Sequence, residues 1–185
     1  MNVSNSSMPI LLDLDEQTWK DSLDRVETWL GNVLMIQTNL RQLIEDTVDK
    51  VHEPHIRAYL ADILEKAKQH EQQAEELYRV IGRDPSKARK LGGTVMSKVN
   101  QVVADIQGVA GGAVGAWRDI RQLLLANLDS LGAFAIAEQL GLALGLPEIV
   151  DITFPIVQEK STHQLLLQEY MLEMAPVSIL YKASI

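Results

Sequence analysis

The sequence predicts an all-α protein: a four-helix bundle of two antiparallel hairpins, joined by a long crossover that contains a short extra helix. Three observations carry this. Apolar residues recur at alternating spacings of three and four along four long stretches, the period of a helix with one buried face. Proline and glycine punctuate the chain between those stretches, at Pro54, Gly82, Gly145 and Pro147. Shifted by 93 residues (163 − 70), the first hairpin falls on the second, so that Glu45, Pro54, Ile56, Ile63, His70 and Glu76 land on Glu138, Pro147, Ile149, Ile156, His163 and Glu169.

Residues 1–12 read as a tail. Asp13 or Asp15 caps a first helix that runs to about Val51, with its seam at Leu30, Val33, Gln37, Leu40, Ile44, Thr47 and Val51 and a loosening point at Gly31. His52-Glu53-Pro54 is the turn, and proline suits the first helical position. The second helix runs to about Ile81 and stops at Gly82, so the hairpin is about 40 Å long. Aspartate, proline, serine and glycine make a loop of 83–94, and Val95, Val99, Val102, Val103 and Ile106 predict a short amphipathic helix over 95–107. The glycines of GVAGGAVGAW then bend the crossover. A third helix covers 116–144 and a fourth about 149–175, with Pro155 marking a kink or the true start and Pro176 the stop. The bundle domain is therefore 13–176, and 177–185 is an extended C-terminal tail, apolar enough to dock.

The composition narrows the function classes. A chain of 185 residues forms one domain by default, and 46% hydrophobic content excludes a disordered protein. Net charge is −8 with no basic stripe, which argues against nucleic acid and against an anionic membrane surface. With no cysteine there is no disulfide, thiolate metal site or cysteine nucleophile. The start MNVSNSSMPILL lacks the pattern of a signal peptide, so cytoplasmic residence is expected. Residues 123–146 are long enough to span a bilayer, but Asn127, Asp129, Glu138 and Gln139 lie within them. That segment reads as the central helix of a bundle or a dimer face, not as a membrane span. No nucleophile elbow or dinucleotide fingerprint occurs, and GVAGGAVG follows no predicted strand, so it is not a phosphate loop.

Two histidines break the apolar pattern. His70 sits on the seam Ile56, Leu60, Ile63, Ala67, His70, Ala74, Leu77, Ile81, and His163 occupies the matching place in the second hairpin. A polar group on such a stripe costs stability unless it is paired inside the core. The pair therefore predicts a polar layer in the middle of the bundle, either a hydrogen-bonded core pair served by Gln37, Ser130, Asn127 or a water, or what is left of a metal site.

The segments HEPHIRAYLADILEKAKQHEQQAEELYRVIG, AFAIAEQLGLALGLPEI and FPIVQEKSTHQLLLQEY resemble the ferritin-like superfamily, and most closely its small bacterial stress-induced domains of the YciE/YciF type. The resemblance covers roughly residues 20–175 and implies a ferritin-like four-helix bundle. In metal-binding members the second and fourth helices each carry Glu-x-x-His and the first and third each add a glutamate. Carried over, His70 and His163 match. Ala67 and Lys160 stand where the partner glutamates would be, the first-helix position falls near Leu34 or Gln37, and the third-helix position near Asn127 or Ser130. None of these is a carboxylate, and two divalent cations need several anionic oxygens to offset lost hydration. Lys160 either replaces the cation, with Glu159 as counter-ion, or leans out to solvent with its stem on the helix.

The resulting expectation is a ferritin-like bundle with a degenerate di-metal site and a non-enzymatic structural or protein-interaction role, linked to stress only through the resemblance. No catalytic residue and no cofactor is assigned. The alternative is a metal-dependent oxidase or peroxide scavenger with an altered ligand set, its residual site made of His70, His163 and Glu159 and its metal iron, manganese or zinc. Glu45 and Glu138 lie away from the histidine level, Glu138 being the more buried; His52, His55 and the run Glu71, Glu75, Glu76 read as solvated. The expected partner is a second copy in a homodimer, or another protein or fused domain, because the third helix and the tail SILYKASI are more apolar than one small bundle needs.

Overall fold

A computed structural model describes residues 15–86 and 115–181. Four helices make up the described chain: α1 Glu16–Val48, α2 Pro54–Val80, α3 Ala116–Leu144 and α4 Pro147–Leu180. Asp15 takes the first cap: its carboxylate accepts from the Thr18 backbone N–H and from the Thr18 hydroxyl, both at 2.8 Å. Proline opens α2 and α4, where its missing N–H costs nothing. α2 and α3 both end in a glycine with positive φ, Gly82 at 67° and Gly145 at 66°. In each case the next residue closes back five positions, Arg83 N–H to the Tyr78 carbonyl and Leu146 N–H to the Gly141 carbonyl, both at 2.8 Å. The predicted short helix over 95–107 and the glycine run before Gly115 lie outside the described residues.

Two expectations are corrected. Pro155 neither starts nor stops a helix, because α4 begins at Pro147 and runs through it. Nor does Pro176 end α4: residues 177–180, read as extended tail, continue the helix. The reason is where the two prolines sit. Each frees the carbonyl four residues earlier, and Asp151 and Leu172 are exposed, so water can take the lost bond. Meanwhile Met174 and Ser178 stay buried and hold the last turn in place. Gly31 does not loosen α1 either. The helix is unbroken there, and a Cβ at Gly31 would stand 3.3 Å from the Tyr78 hydroxyl.

Every neighbouring pair of helices is antiparallel. α1 lies along α2 and along α3, and α4 lies along α3 and, less closely, along α2. Trp29 Nε1 donates to the Ala133 carbonyl at 3.1 Å while Lys50 pairs with Asp119, which sets α1 against α3. His70 meets Glu159 while His55 meets Glu173, which sets α2 against α4. α2 therefore ends beside the start of α1, where Arg83 reaches Asp24, and α3 begins beside its end. The connection between them has its two ends at opposite ends of the bundle.

The core is divided. One apolar cluster holds Leu30, Val33, Leu77, Tyr78, Phe134 and Ile149. The other holds Ile44, Ile56, Leu60, Ile120, Leu123 and Leu167. Between them, half-way along the bundle, lie the buried polar residues Gln37, His70, Asn127, Ser130 and Lys160.

Candidate functional site: a lysine-centred polar layer

Each helix contributes to the layer a polar residue that its apolar seam would not otherwise bury, and α3 contributes two, Asn127 and Ser130. Gln37 occupies a seam position of α1 and is fully buried. Its Oε1 accepts two hydrogen bonds, from Lys160 Nζ at 2.7 Å and from the Ser130 hydroxyl at 2.8 Å. Its Nε2 donates to the Ala67 carbonyl at 2.9 Å. Asn127 repeats that last device on the other hairpin, donating to the Lys160 carbonyl at 3.0 Å and to Gln164 Oε1 at 2.8 Å. No fully shielded side-chain nitrogen or oxygen of Gln37, Asn127, Ser130 or Lys160 lacks a hydrogen bond, which is the condition for a polar layer to stay in a core.

The 93-residue repeat passes through this layer. Positions 93 apart are equivalent under the repeat, and two equivalent pairs touch: Gln37 with Ser130 across α1 and α3, and Lys66 with Glu159 at 3.1 Å across α2 and α4. Equivalent positions meet only on a two-fold axis. The pseudo-dyad thus crosses the bundle beside positions 67 and 160, whose carbonyls each take a side-chain amide. The symmetry breaks in the side chains: alanine in one half, lysine in the other. A single ammonium fills the axial space that two would contest.

Lys160 does not lean out to solvent. It is 1% exposed, and the Phe134 ring lies 5.5 Å from its Nζ. Burial pushes its pKa down to about 7, and the Glu159 carboxylate opposes that shift. Its hydrogen bond goes to Gln37, and Glu159, the counter-ion expected from the sequence, acts on it through space. Glu159 turns instead to His70 Nε2 at 3.0 Å and to Lys66. Burial raises the Glu159 pKa, but these two partners outweigh it and hold the carboxyl below its usual range.

The histidines are not a bonded pair. His70 is buried, bonds Glu159 and sets its ring edge-on to Phe134 at 6.4 Å. Burial first, and the Lys160 charge second, lower its pKa to about 4 despite Glu159. His163 is half-buried and lies edge-on to Tyr59 at 6.2 Å, its pKa pushed down to about 4 by burial and by Lys160. Gln37, Ser130 and Asn127, the partners expected for the histidines, serve the lysine and the backbone instead.

Of the residual metal set, the structure brings His70 and Glu159 together and leaves His163 against Tyr59. Among the described residues no group of three or more histidine, cysteine, aspartate or glutamate side chains is placed to hold a metal ion. The donor chemistry does not fit a di-metal centre. Ala67 offers no oxygen, and the axial space holds a lysine amine. A buried amine beside an imidazole–carboxylate pair can hold or give a proton, but at 1% exposure it offers a substrate no approach.

The other candidates are spread out. Glu45 is exposed and pairs with Arg41 at 2.8 Å. Glu138 is half-buried, with Oε2 shielded and without a hydrogen-bond partner. His52 is exposed, as is His55, which pairs with Glu173 at 3.1 Å. Glu71 is not a solvated residue: it is half-buried and holds Arg41 Nε and the Thr38 hydroxyl. The sequence reading missed an aromatic cluster on the α2–α4 side, where Tyr59 and Tyr170 meet at 5.4 Å between His55 and His163. Its signal was present, because His55 and Tyr59 are four apart on one helical face. Comparison with protein-family models, with curated proteins and with solved structures finds no match for this chain.

Proposed function

We propose that this chain is a ferritin-like bundle in which a lysine-centred polar layer has replaced a di-metal centre, and that it acts through its outer surface as a structural or protein-interaction module. The observation that carries the reading is the bond from Lys160 Nζ to Gln37 Oε1, 2.7 Å long and buried on the pseudo-dyad. A divalent cation and an ammonium repel each other in that space, and the surrounding acceptors are neutral amide and hydroxyl oxygens. The antiparallel neighbour relations, with the end of α2 and the start of α3 at opposite ends of the bundle, support the ferritin-like assignment. A link to stress tolerance rests on that assignment alone.

Elemental analysis of the full chain, purified after growth with added iron and manganese, tests it. The reading expects metal well below one equivalent per chain, unchanged in a His70→Ala variant. About one equivalent or more, lost in that variant, overturns it in favour of the oxidase alternative.

A further inference from the structure

We infer that two copies of this chain pair through the outward face shared by α3 and α4. This does not depend on what the polar layer holds. Every large apolar side chain that stands exposed in α1–α4 belongs to the second hairpin. On α4 four of the five fall in a strict order: Phe154, Leu165, Leu172 and Ile179 are 44–66% exposed, and the fifth, Leu180, is the last residue of the helix. Filling the three–four alternation between them are Gln158, Ser161, Gln168 and Ala175. The eight positions from 154 to 179 thus step by four and three without a break, and none is charged. That is the spacing by which one helix seats its knobs between the side chains of another.

The stripe lies on the shoulder of α4 nearest α3. It flanks Gln164, which accepts from Asn127, and Met171, whose carbonyl accepts from Trp117 Nε1, whereas His163 and Tyr170 turn toward α2. α3 continues the face with Leu125, Leu128 and Leu142, stepping past Gly132 and Ala135, again with no charge. Together these positions form an apolar strip on the side away from α1 and α2, with the exposed Asp129, Asp151 and Glu169 at its margins.

The occupant this surface fits is its own twin. The chain carries a net charge of −8, so two copies repel wherever acidic faces meet. Along this strip no charged side chain stands, so it is where two copies meet with the fewest like charges opposed. Its exposed apolar side chains amount to on the order of 700 Å² per copy, close to the ~800 Å² per partner of a standard stable interface. An isologous two-fold contact covers the face on both copies at once and leaves none of it to nucleate fibres.

Sedimentation equilibrium of the full chain without detergent tests the inference, beside L165E/L172E. Both leucines are exposed in the single bundle, so the variant keeps its helical circular dichroism and melting temperature when examined as a monomer. The wild type is expected to be a dimer, and the variant to associate about 100-fold more weakly or worse. Because the chain has no cysteine, L165C gives a disulfide-linked dimer on mild oxidation, and D62C, exposed on α2 outside that strip, gives none. A monomeric wild type overturns the inference, whether it stays free or sediments with neutral phosphatidylcholine vesicles. So does a dimer that survives L165E/L172E, or cross-linking that favours D62C.

Discussion

The two hairpins follow one plan and treat their surfaces in opposite ways. The first is laced with ion pairs: Arg41 with Glu45 and Glu71, Arg57 with Asp49, Lys68 with Glu65, and Arg83 with Asp24 and Glu27. No ion pair among the described residues lies wholly within the second, which carries all the exposed large apolar side chains instead. In the interior the contrast reverses, since the first hairpin buries an alanine, Ala67, at the position where the second buries Lys160. The repeat shows that spacing specifies the backbone, while the side chains filling equivalent positions decide what each half does. One half meets water; the other supplies the axial charge and an apolar face.

The largest expected effect comes from removing the shared acceptor. Gln37→Leu leaves Lys160 Nζ and the Ser130 hydroxyl facing an apolar side chain, and strips the Ala67 carbonyl of its amide. A loss of about 3–5 kcal/mol in urea unfolding is expected, the scale of breaking a buried charged contact. A loss under 1 kcal/mol would mean that the layer carries little weight. Next is Gly141→Ala. A Cβ there would lie 2.8 Å from Ile149 Cβ, so the α3–α4 crossing must shift, at a cost of about 1–3 kcal/mol. Gly31→Ala, the matching test on the first hairpin, places its Cβ 3.3 Å from the hydroxyl of the buried Tyr78, a looser contact than the 2.8 Å at Gly141. Its helix-propensity gain of about 1 kcal/mol offsets most of that crowding. Unequal responses of the two glycines, with Gly141 the costlier, would confirm that the second hairpin is the more tightly closed; equal responses would remove that distinction.

Acid should act on the layer through the histidines. Folded His70 and His163 have pKa values lowered to about 4 from 6.5, so the unfolded chain binds more protons between those limits. The histidines' share of the stability is therefore fully present above pH 6.5 and is lost as pH drops toward 4. The double variant His70→Leu, His163→Leu should unfold with a flatter profile in that window and be at least as stable at neutral pH, because Glu159 keeps Lys66. An unchanged acid slope would place the sensitivity elsewhere. The smallest effect belongs to Arg41→Ala, which removes partly exposed pairs with Glu45 and Glu71 and should cost no more than about 1 kcal/mol.

Much of the architecture was legible in the chain itself. The bounds of α3, the proline that opens α2, the cap at Asp15 and the buried seam through His70 all follow from local rules of spacing and capping. The course of α4 past Pro155 and Pro176 was not, because the cost of a helical proline depends on whether the freed carbonyl faces water, which is a property of the fold. The layer was half legible: Gln37, Asn127, Ser130, His70 and Lys160 were all singled out, but their partners were misassigned. A lysine stem reaches several angstroms, and where its amine ends is decided by the register of helices α1 and α4, which no period along one helix encodes. The Lys66–Glu159 contact is hidden for the same reason, though the 93-residue shift between those two positions marked them as equivalent.

The central claim is that a buried lysine amine holds the axis of the bundle. Its most direct test is the titration of Lys160 itself, followed by the Nζ or Cε chemical shift in isotope-labelled chain and assigned by its loss in Lys160→Met. The account predicts a midpoint near 7, well below the ordinary 10.5. It also predicts that wild-type stability rises with pH between those values while Lys160→Met stays flat, because over that range the unfolded chain binds the extra proton. A midpoint near 10.5, or parallel stability profiles, would contradict it and return Lys160 to solvent.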